Sequence, residues 1–369
     1  MRIHVVMMAA AGLGLSAMPA LAQATLKDAF KNRLLVGVAV RPHQFTGANA
    51  TQAALIANQF NSITPENVMK WDALQPRENE FHFEQADRYV DFGTRNGMFT
   101  IGHTLVWHSQ VPGWLFKDAA GNPVDRETLL ARMKKHIQTV VGRYKGRVKG
   151  WDVVNEALEE DGTLRQSPWL KIIGEDYLAK AFQFAHEADP AAQLYYNDYG
   201  IEGGKKRDGA IALLKKLKAA GVPVTGVGIQ DHVSLTWPPA TMLDETITAF
   251  GQAGLKVMIT ELDVDVLPAR GHNTSADVSR NEAADPALNP YTNGLPANVQ
   301  EALARRYAEL FAVYLKHPGV VTRVTLWGLC DGESWLNDWP IRGRTSHPLL
   351  FDRACKPKPA FQALVAPRR

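Results

Sequence analysis

The segment VKGWDVVNEAL (148–158) contains the pattern that decides the fold. Trp151, Val153 and Val154 form an apolar strand that runs directly into the polar pair Asn155 and Glu156. Short runs rich in β-branched or apolar residues recur along the chain, and together with 148–154 they predict eight strands. The other seven runs cover residues 34–40, 61–64, 99–104, 193–197, 224–229, 256–260 and 322–327.

Segments with helical spacing separate several of these strands. After the candidate N-cap Asp125, apolar or aromatic residues recur between 130 and 144, and similar patterns occupy 182–188, 214–217 and 299–314. Alternating strands and helices indicate parallel strands joined by crossovers. Eight such units favour a single closed (β/α)8 barrel with long βα loops over an open doubly wound sheet, and no Gly-rich phosphate-binding motif follows a strand.

The N-terminus has the pattern of a secretory signal peptide. Arg2 precedes an apolar run over 5–21, which closes with the A-x-A-like sequence at 20–22. Glycines and Pro19 interrupt the run, which disfavours the alternative of a membrane anchor. We therefore expect a signal peptide at 1–22, one catalytic domain at 23–369, and export to the periplasm or the medium.

Composition excludes several classes of partner. The chain has 41 Lys and Arg against 38 Asp and Glu, a formal charge of +3, so neither nucleic acid nor a membrane surface is an expected partner. We expect a monomer. Cys330 and Cys355 would pair in an oxidising compartment, although a buried thiol at a strand end is an equally good interpretation.

In a barrel of this kind, polar side chains at the C-terminal ends of the strands form the site, whereas the strand interiors pack. Sixteen candidate residues lie at these ends: Glu66, Asn67, Lys70, His103, Trp107, His108, Asn155, Glu156, Asn197, Asp198, Gln230, His232, Glu261, Asp263, Trp327 and Trp335.

Two carboxylates in this set stand directly after apolar strands, Glu156 after WDVVN and Glu261 after KVMIT. Glycoside hydrolysis needs such a pair, one carboxyl to protonate the leaving oxygen and the other to attack the anomeric carbon or activate water. Trp327 and Trp335 offer flat apolar faces for sugar rings. One strand-end glutamate is usually a solvated loop residue, but both together with the indoles favour a sugar-cleaving site.

Three alternatives accompany this interpretation. His103, His108 and His232 could bind a metal with Asp198 or Asp263, but HxH and HExxH spacings are absent, so we expect no metal and no cofactor. A non-catalytic glycan-binding protein would not need both glutamates. A glycosidase acting on cellulose or mannan stays open, because these residues do not specify the sugar.

The segment 268–298, which follows the seventh strand, is rich in Asn, Pro and small polar residues. It is interpreted as a long loop on the active face, with a disordered insertion as the alternative.

The chain resembles the glycoside hydrolase family 10 endo-β-1,4-xylanases in motifs that fall on separate strands. The matching stretches are SITPENVMKWDAL (62–74), GHTLVWHSQVPGWL (102–115), WDVVNEAL (151–158), YYNDYGIE (195–202), GVGIQDH (226–232), ITELDV (259–264) and LWGLCDGESWL (326–336).

The resemblance implies a retaining hydrolase of xylan and xylo-oligosaccharides in which Glu156 is the acid/base and Glu261 the nucleophile. It also implies that His232 contacts the nucleophile, that Asp263 orients His232, and that Asn155 binds the sugar 2-hydroxyl. The implied glycone-subsite residues are Glu66, Asn67, Lys70, His103, Trp107, Gln230, Trp327 and Trp335.

This mechanism requires the two glutamates to differ in protonation. We expect the nearby charge of Glu261, with partial burial, to raise the pKa of Glu156. Hydrogen bonds from His232 and Asn155 are expected to keep Glu261 ionised. Asp152, on the same strand face as Glu156, is a candidate supporting residue.

Overall fold

The computed structural model describes residues 24–269, 278 and 281–366. Its strands are β1 Leu35–Val40, β2 Ser62–Pro65, β3 Phe99–Val106, β4 Val148–Asn155, β5 Gln193–Asp198, β6 Gly226–Ile229, β7 His232–Ser234, β8 Lys256–Asp265 and β9 Val321–Leu326. Its α-helices are α1 Leu26–Ala29, α2 Pro42–Phe45, α3 Ala50–Gln59, α4 Trp71–Leu74, α5 Glu84–Arg95, α6 Arg126–Arg143, α7 Pro168–Ile173, α8 Tyr177–Ala188, α9 Gly204–Ala219, α10 Ala240–Gln252, α11 Ala297–Leu315 and α12 Pro359–Val365.

The strands close into a parallel barrel. Each of β1 to β5 pairs with the next strand, β6 pairs with β8, β8 pairs with β9, and β9 pairs with β1. The short β7 follows β6 after two residues and pairs with the end of β8, so nine segments occupy eight barrel positions. The predicted (β/α)8 barrel is confirmed.

All eight predicted strands are present, but the prediction ended the seventh too early. The apolar run stops at Thr260, whereas β8 continues to Asp265 because its polar half pairs with β7, with His232 opposite Asp263. Glu261 and Asp263 therefore lie within a strand and not in the loop after it. Alternation of side chains along a strand then puts both on the same face.

The predicted helices also form. Asp125 caps α6 by accepting a hydrogen bond from the Thr128 amide at 2.8 Å, as expected of an N-cap carboxylate. The buried sides of the helices cover the barrel, and its interior is filled so tightly that glycine is required at some positions. A Cβ on Gly102 would lie 2.1 Å from the ring of Trp151 on the neighbouring strand.

A disulfide joins Cys330 to Cys355, which resolves the two interpretations in favour of pairing. It ties the loop after β9 to the segment before α12. Gln52 of α3 donates a hydrogen bond to Cys355 Sγ at 3.3 Å and another to Glu333 at 3.0 Å. The loop that carries Trp335 is thus held from outside the barrel.

The described end of the predicted loop, residues 281–298, packs along the segment that follows Trp335. The Glu282 amide donates to the Pro340 carbonyl at 2.8 Å, and the Thr345 amide donates to Asn289 Oδ1 at 2.8 Å. This segment contains a 3-10 turn at Pro286–Leu288.

The predicted signal peptide at 1–22 lies outside the described residues. Across 24–269, 278 and 281–366, no helix is long and apolar enough to cross a membrane.

Candidate active site

Twelve of the sixteen residues predicted from strand ends line one cleft, with a volume of about 150 Å³, whereas His108, Asn197, Asp198 and Asp263 do not line it. Two lining residues, Gln110 and Val278, were not predicted, because neither stands at a strand end. Asp263 contacts two of the cleft residues, His232 and Trp335. The cleft is lined by Glu66, Asn67, Lys70, His103, Trp107, Gln110, Asn155, Glu156, Gln230, His232, Glu261, Val278, Trp327 and Trp335.

Glu156 has an unusual backbone. It follows the last residue of β4 and adopts φ of 56°, in the left-handed region that non-glycine residues rarely enter. This conformation costs on the order of 1–3 kcal/mol. Successive strand residues normally point to opposite faces, yet Asn155 Nδ2 donates to Glu156 Oε1 at 3.1 Å. The left-handed turn therefore brings the side chains of both residues to the same place.

The carboxylate of Glu156 contacts neutral donors. Trp107 Nε1 donates to one oxygen at 2.8 Å, and Gln230 Nε2 donates to the other at 2.9 Å. Burial raises the pKa of Glu156, these two hydrogen bonds partly oppose the rise, and the charge of Glu261 adds to it. The predicted direction is confirmed, but burial is the larger cause and it is nearly complete, with 5% of the residue exposed.

The carboxylate of Glu261 contacts a cation. His232 Nε2 lies 3.3 Å from Oε2, and Asn197 Nδ2 donates to Oε1 at 2.8 Å. Burial opposes ionisation of Glu261, but the hydrogen bond from His232 and the positive potential of His103 and His232 outweigh it, so the pKa is lowered. Glu261 is therefore the carboxylate that stays ionised.

Asp263 keeps His232 charged. Its Oδ1 lies 3.1 Å from His232 Nδ1, at an ion-pair distance with poor hydrogen-bond alignment. Burial alone would lower the pKa of His232, but the charges of Asp263 and Glu261 raise it to about 10. The other Asp263 oxygen accepts a hydrogen bond from Trp335 Nε1 at 2.7 Å. One predicted indole is thereby fixed to the same carboxylate that pairs with His232.

Asn197 connects the two glutamates. Besides Glu261, its Nδ2 donates to Asn155 Oδ1 at 2.8 Å, and its own Oδ1 accepts from Thr260 Oγ1 at 2.6 Å. A Cβ on Gly228 would lie 2.2 Å from that oxygen, so only glycine leaves room for the amide. The expectation that Asn155 helps to hold Glu261 ionised is wrong, because Asn155 is turned toward Glu156 and Asn197 takes that position.

Glu66 and Lys70 line one end of the cleft. Arg41 binds both oxygens of Glu66, at 2.5 and 2.9 Å. Lys70 Nζ donates to Asn67 at 3.0 Å and to Gln110 at 2.7 Å. Burial lowers the pKa of Lys70 against the raising effect of the nearby glutamates. This end presents fixed polar groups suited to sugar hydroxyls.

His103 lies on the floor of the cleft. Its Nδ1 is 3.0 Å from Asp152 Oδ2, and its ring meets Trp327 edge to face at 5.4 Å. The candidate supporting residue Asp152 thus contacts His103 and not Glu156.

The metal alternative gains no support from the geometry. Within the described ranges, no group of three or more His, Cys, Asp and Glu side chains could hold a metal ion.

A parallel barrel with two buried carboxylates of opposite proton affinity, in a cleft walled by indoles, defines a barrel glycoside hydrolase. The model of glycosyl hydrolase family 10 matches residues 25–367. Endo-1,4-beta-xylanase A of Xylanibacter ruminicola is 44% identical over 357 residues, which span 96% of this chain and 97% of that protein. The chain belongs to glycosyl hydrolase family 10.

Solved structures agree with this assignment. A GH10 endoxylanase from a sugarcane soil metagenome is 48% identical, with a TM-score of 0.89 over 92% of this chain and 99% of that chain. An intracellular xylanase of Thermoanaerobacterium saccharolyticum, solved as a glutamate-to-alanine mutant with xylotriose, is 36% identical with a TM-score of 0.80, covering 93% and 98% of the two chains.

Proposed function

We propose that Glu156 and Glu261 carry out the endo-hydrolysis of β-1,4-xylosidic bonds in xylan by a retaining double displacement. The observation that carries the assignment is the opposite pKa shift of two equally buried carboxylates, raised for Glu156 and lowered for Glu261. A general acid must begin protonated and a nucleophile ionised, so the two roles follow from the two environments.

In the first step, Glu261 attacks the anomeric carbon while Glu156 gives its proton to the glycosidic oxygen. The C–O bond breaks, the reducing-end fragment leaves, and a glycosyl ester forms on Glu261. The negative charge of Glu261 is then gone, which removes one of the causes that raise the pKa of Glu156.

In the second step, the ionised Glu156 takes a proton from water, whose oxygen attacks the anomeric carbon. The ester bond breaks and restores the Glu261 carboxylate and the protonated Glu156. Two inversions give net retention.

The supporting roles are part of the same proposal. His232, kept cationic by Asp263, holds Glu261 ionised, and Asn155 binds the 2-hydroxyl of the sugar under attack. The polar and indole side chains of the cleft bind the glycone part of the chain; they are Glu66, Asn67, Lys70, His103, Trp107, Gln230, Trp327 and Trp335. The xylotriose complex of a relative supports xylo-oligosaccharides as ligands.

Two further properties belong to the proposal. The N-terminal sequence, together with the disulfide, supports export to the periplasm or the medium. We also propose that the enzyme works as a monomer, since one chain supplies all the residues invoked above. Sizing chromatography of the mature protein and sequencing of its N-terminus test these two statements.

Azide tests the assignment of the glutamates. Glu156→Ala should still form the glycosyl ester from a dinitrophenyl xylobioside, because this leaving group needs little proton assistance. Added azide should restore turnover and yield a β-xylobiosyl azide. Glu261→Ala should lose the ester, seen by mass spectrometry of the trapped enzyme, and kcat should fall by at least about 10⁴-fold.

Glu245→Gln, which changes an exposed acid on α10 outside the cleft, is the control. An α-linked azide product from Glu156→Ala would contradict retention, and normal turnover of Glu261→Ala would remove it as the nucleophile. Product analysis on xylan, carboxymethylcellulose and mannan tests the sugar specificity.

A further inference from the structure

A buried polar cluster lies behind Glu156, outside the set of described residues that line the cleft. We call it the support cluster and define it by five residues: Arg165, Tyr196, Asp198, Tyr199 and Lys206. Lys206 has 1% and Asp198 0% of its surface exposed. Burying such charges costs free energy unless they are paired and satisfied, and the two chemical steps above use none of them.

Tyr196 reaches the backbone just after Glu156. Its hydroxyl donates a hydrogen bond to Asp198 Oδ2 and accepts one from the Ala157 amide at 3.2 Å. Because the hydroxyl proton is directed to a carboxylate, an oxygen lone pair is free to accept from Ala157.

Lys206 fixes the carboxylate that directs this hydroxyl. Its Nζ lies 3.1 Å from Asp198 Oδ1 and 3.4 Å from the centroid of the Tyr199 ring. The ammonium group neutralises Asp198, and Tyr199 covers the ammonium. The Lys206–Asp198 pair is therefore held in place next to the Tyr196 hydroxyl.

Arg165 holds the other side of the same peptide. Its Nε donates to the Glu156 carbonyl at 3.0 Å, and a terminal nitrogen donates to the Tyr199 hydroxyl at 3.0 Å. The Glu156 amide itself donates to the Asn197 carbonyl of β5 at 2.8 Å. The backbone groups around the left-handed residue are thus held at three points, two of them by side chains of the support cluster.

We propose that the support cluster is a positioning device for proton transfer, which holds Glu156 in its left-handed conformation so that the carboxyl group faces the glycosidic oxygen. A strained backbone persists only where its surroundings fix it. Tyr196 and Arg165 are positioning residues, since they act through Glu156. The inference rests on the proposed role of Glu156 as acid/base.

Tyr196→Phe tests the inference, because it removes the hydroxyl and little else. For phenyl xylobioside, whose departure needs a proton, kcat/KM should fall roughly 10-fold, the effect of one lost buried hydrogen bond. For dinitrophenyl xylobioside, kcat/KM should stay within about 2-fold, since this constant reports the first step. With the same substrate kcat should fall, because the second step needs Glu156 as base.

If Tyr196 had a purely structural role, Tyr196→Phe would lower kcat/KM for the two substrates by the same factor. Tyr314→Phe is the matched control: its buried hydroxyl donates to Asp231, beside His232 and away from Glu156. It should lower thermal stability and leave the ratio of kcat/KM for the two substrates unchanged. Arg165→Met provides a second variant and should shift the ratio in the same direction as Tyr196→Phe.

Glu156→Ala, measured in parallel, distinguishes a failure of the support-cluster inference from a failure of the acid/base assignment. If Glu156→Ala shows the leaving-group dependence but Tyr196→Phe and Arg165→Met match Tyr314→Phe, the inference is wrong and the proposed function stands. If Glu156→Ala shows no such dependence, the assignment of the acid/base fails.

Discussion

Glu156, just beyond β4, and Glu261, within β8, are the same side chain in two different environments. Glu156 and Glu261 each expose 5% of their surface, and burial alone would raise both pKa values. Glu156 is held by amide and indole N–H groups, which carry no charge. Glu261 is held by His232, which Asp263 keeps protonated. Burial raises the pKa of both carboxyl groups, and the charge of the hydrogen-bond donor decides which of them ionises.

The backbones differ as well. Glu261 lies inside a ten-residue strand, where its amide donates a hydrogen bond to the Gln230 carbonyl at 3.0 Å. Glu156 lies one residue beyond its strand, in a left-handed conformation supported by side chains from other segments. The nucleophile is therefore positioned by the barrel itself and the acid/base by contacts added behind it.

Asn197→Ala should disturb both glutamates at once, because Asn197 donates to Glu261 and to Asn155. We expect kcat/KM to fall by about 100-fold for good and poor leaving groups alike, the usual effect of a small displacement of reacting groups. Steady-state kinetics on both aryl xylobiosides measure this. Asn96→Ala, at the end of α5, is the control, and a loss confined to poor leaving groups would show that Asn197 serves Glu156 alone.

Asp263→Asn should make the surroundings of Glu261 resemble those of Glu156, with a neutral donor in place of a cationic one. Without the carboxylate, the pKa of His232 falls from its raised value of about 10, Glu261 loses its cationic donor, and its own pKa rises. The acidic limb of the kcat/KM profile should move to higher pH. Near neutral pH we expect a loss of about 2 kcal/mol, or roughly 30-fold.

The control for this change is Asp244→Asn, which breaks a similar pair with His317, 2.6 Å apart, and neither of these residues lines the cleft. Its pH profile should match that of the wild type. An unchanged acidic limb in Asp263→Asn would show that His232 does not set the ionisation of Glu261.

Gln230→Met should increase the difference in pKa between Glu156 and Glu261. The hydrogen bond from Gln230 lowers the pKa of Glu156, so its removal should raise that pKa further. The alkaline limb of kcat/KM should then move up by roughly half a pH unit to one unit. The acidic limb, which reports Glu261, should stay in place. Gln138→Met on α6 is the control, and movement of both limbs would mean that the two sites cannot be tuned separately.

Removal of the disulfide should leave both carboxylates unchanged. Replacing Cys330 and Cys355 by alanine opens a loop with a sequence separation of 25 and should lower the free energy of unfolding by about 3 kcal/mol. Denaturant unfolding measures the loss, with dithiothreitol-treated wild type as a comparison. At 25 °C kcat should change by less than about 2-fold, and a larger drop would show that the bond shapes the Trp335 loop.

Much of the barrel and most of the cleft could be predicted because both follow local patterns. Apolar runs ending in polar residues identified the strand ends, where Glu156, Trp107 and Gln230 stand. The end of β8 was missed because its pairing with β7 stabilises residues that are polar in sequence. Asn197 appeared among the strand ends, but its link between the glutamates depends on residues 42 and 64 positions away, which no local pattern reveals.

The sequence by itself determined the parallel barrel and the two glutamates that follow its apolar strand runs, because periodicity and strand-end chemistry depend on neighbouring residues. Only the tertiary structure decided the left-handed backbone of Glu156, the pairing of Cys330 with Cys355 and the main physical cause of each pKa shift, which is burial for Glu156 and the contact with His232 for Glu261. These properties depend on contacts between residues distant in sequence, and they exist only once the barrel has closed.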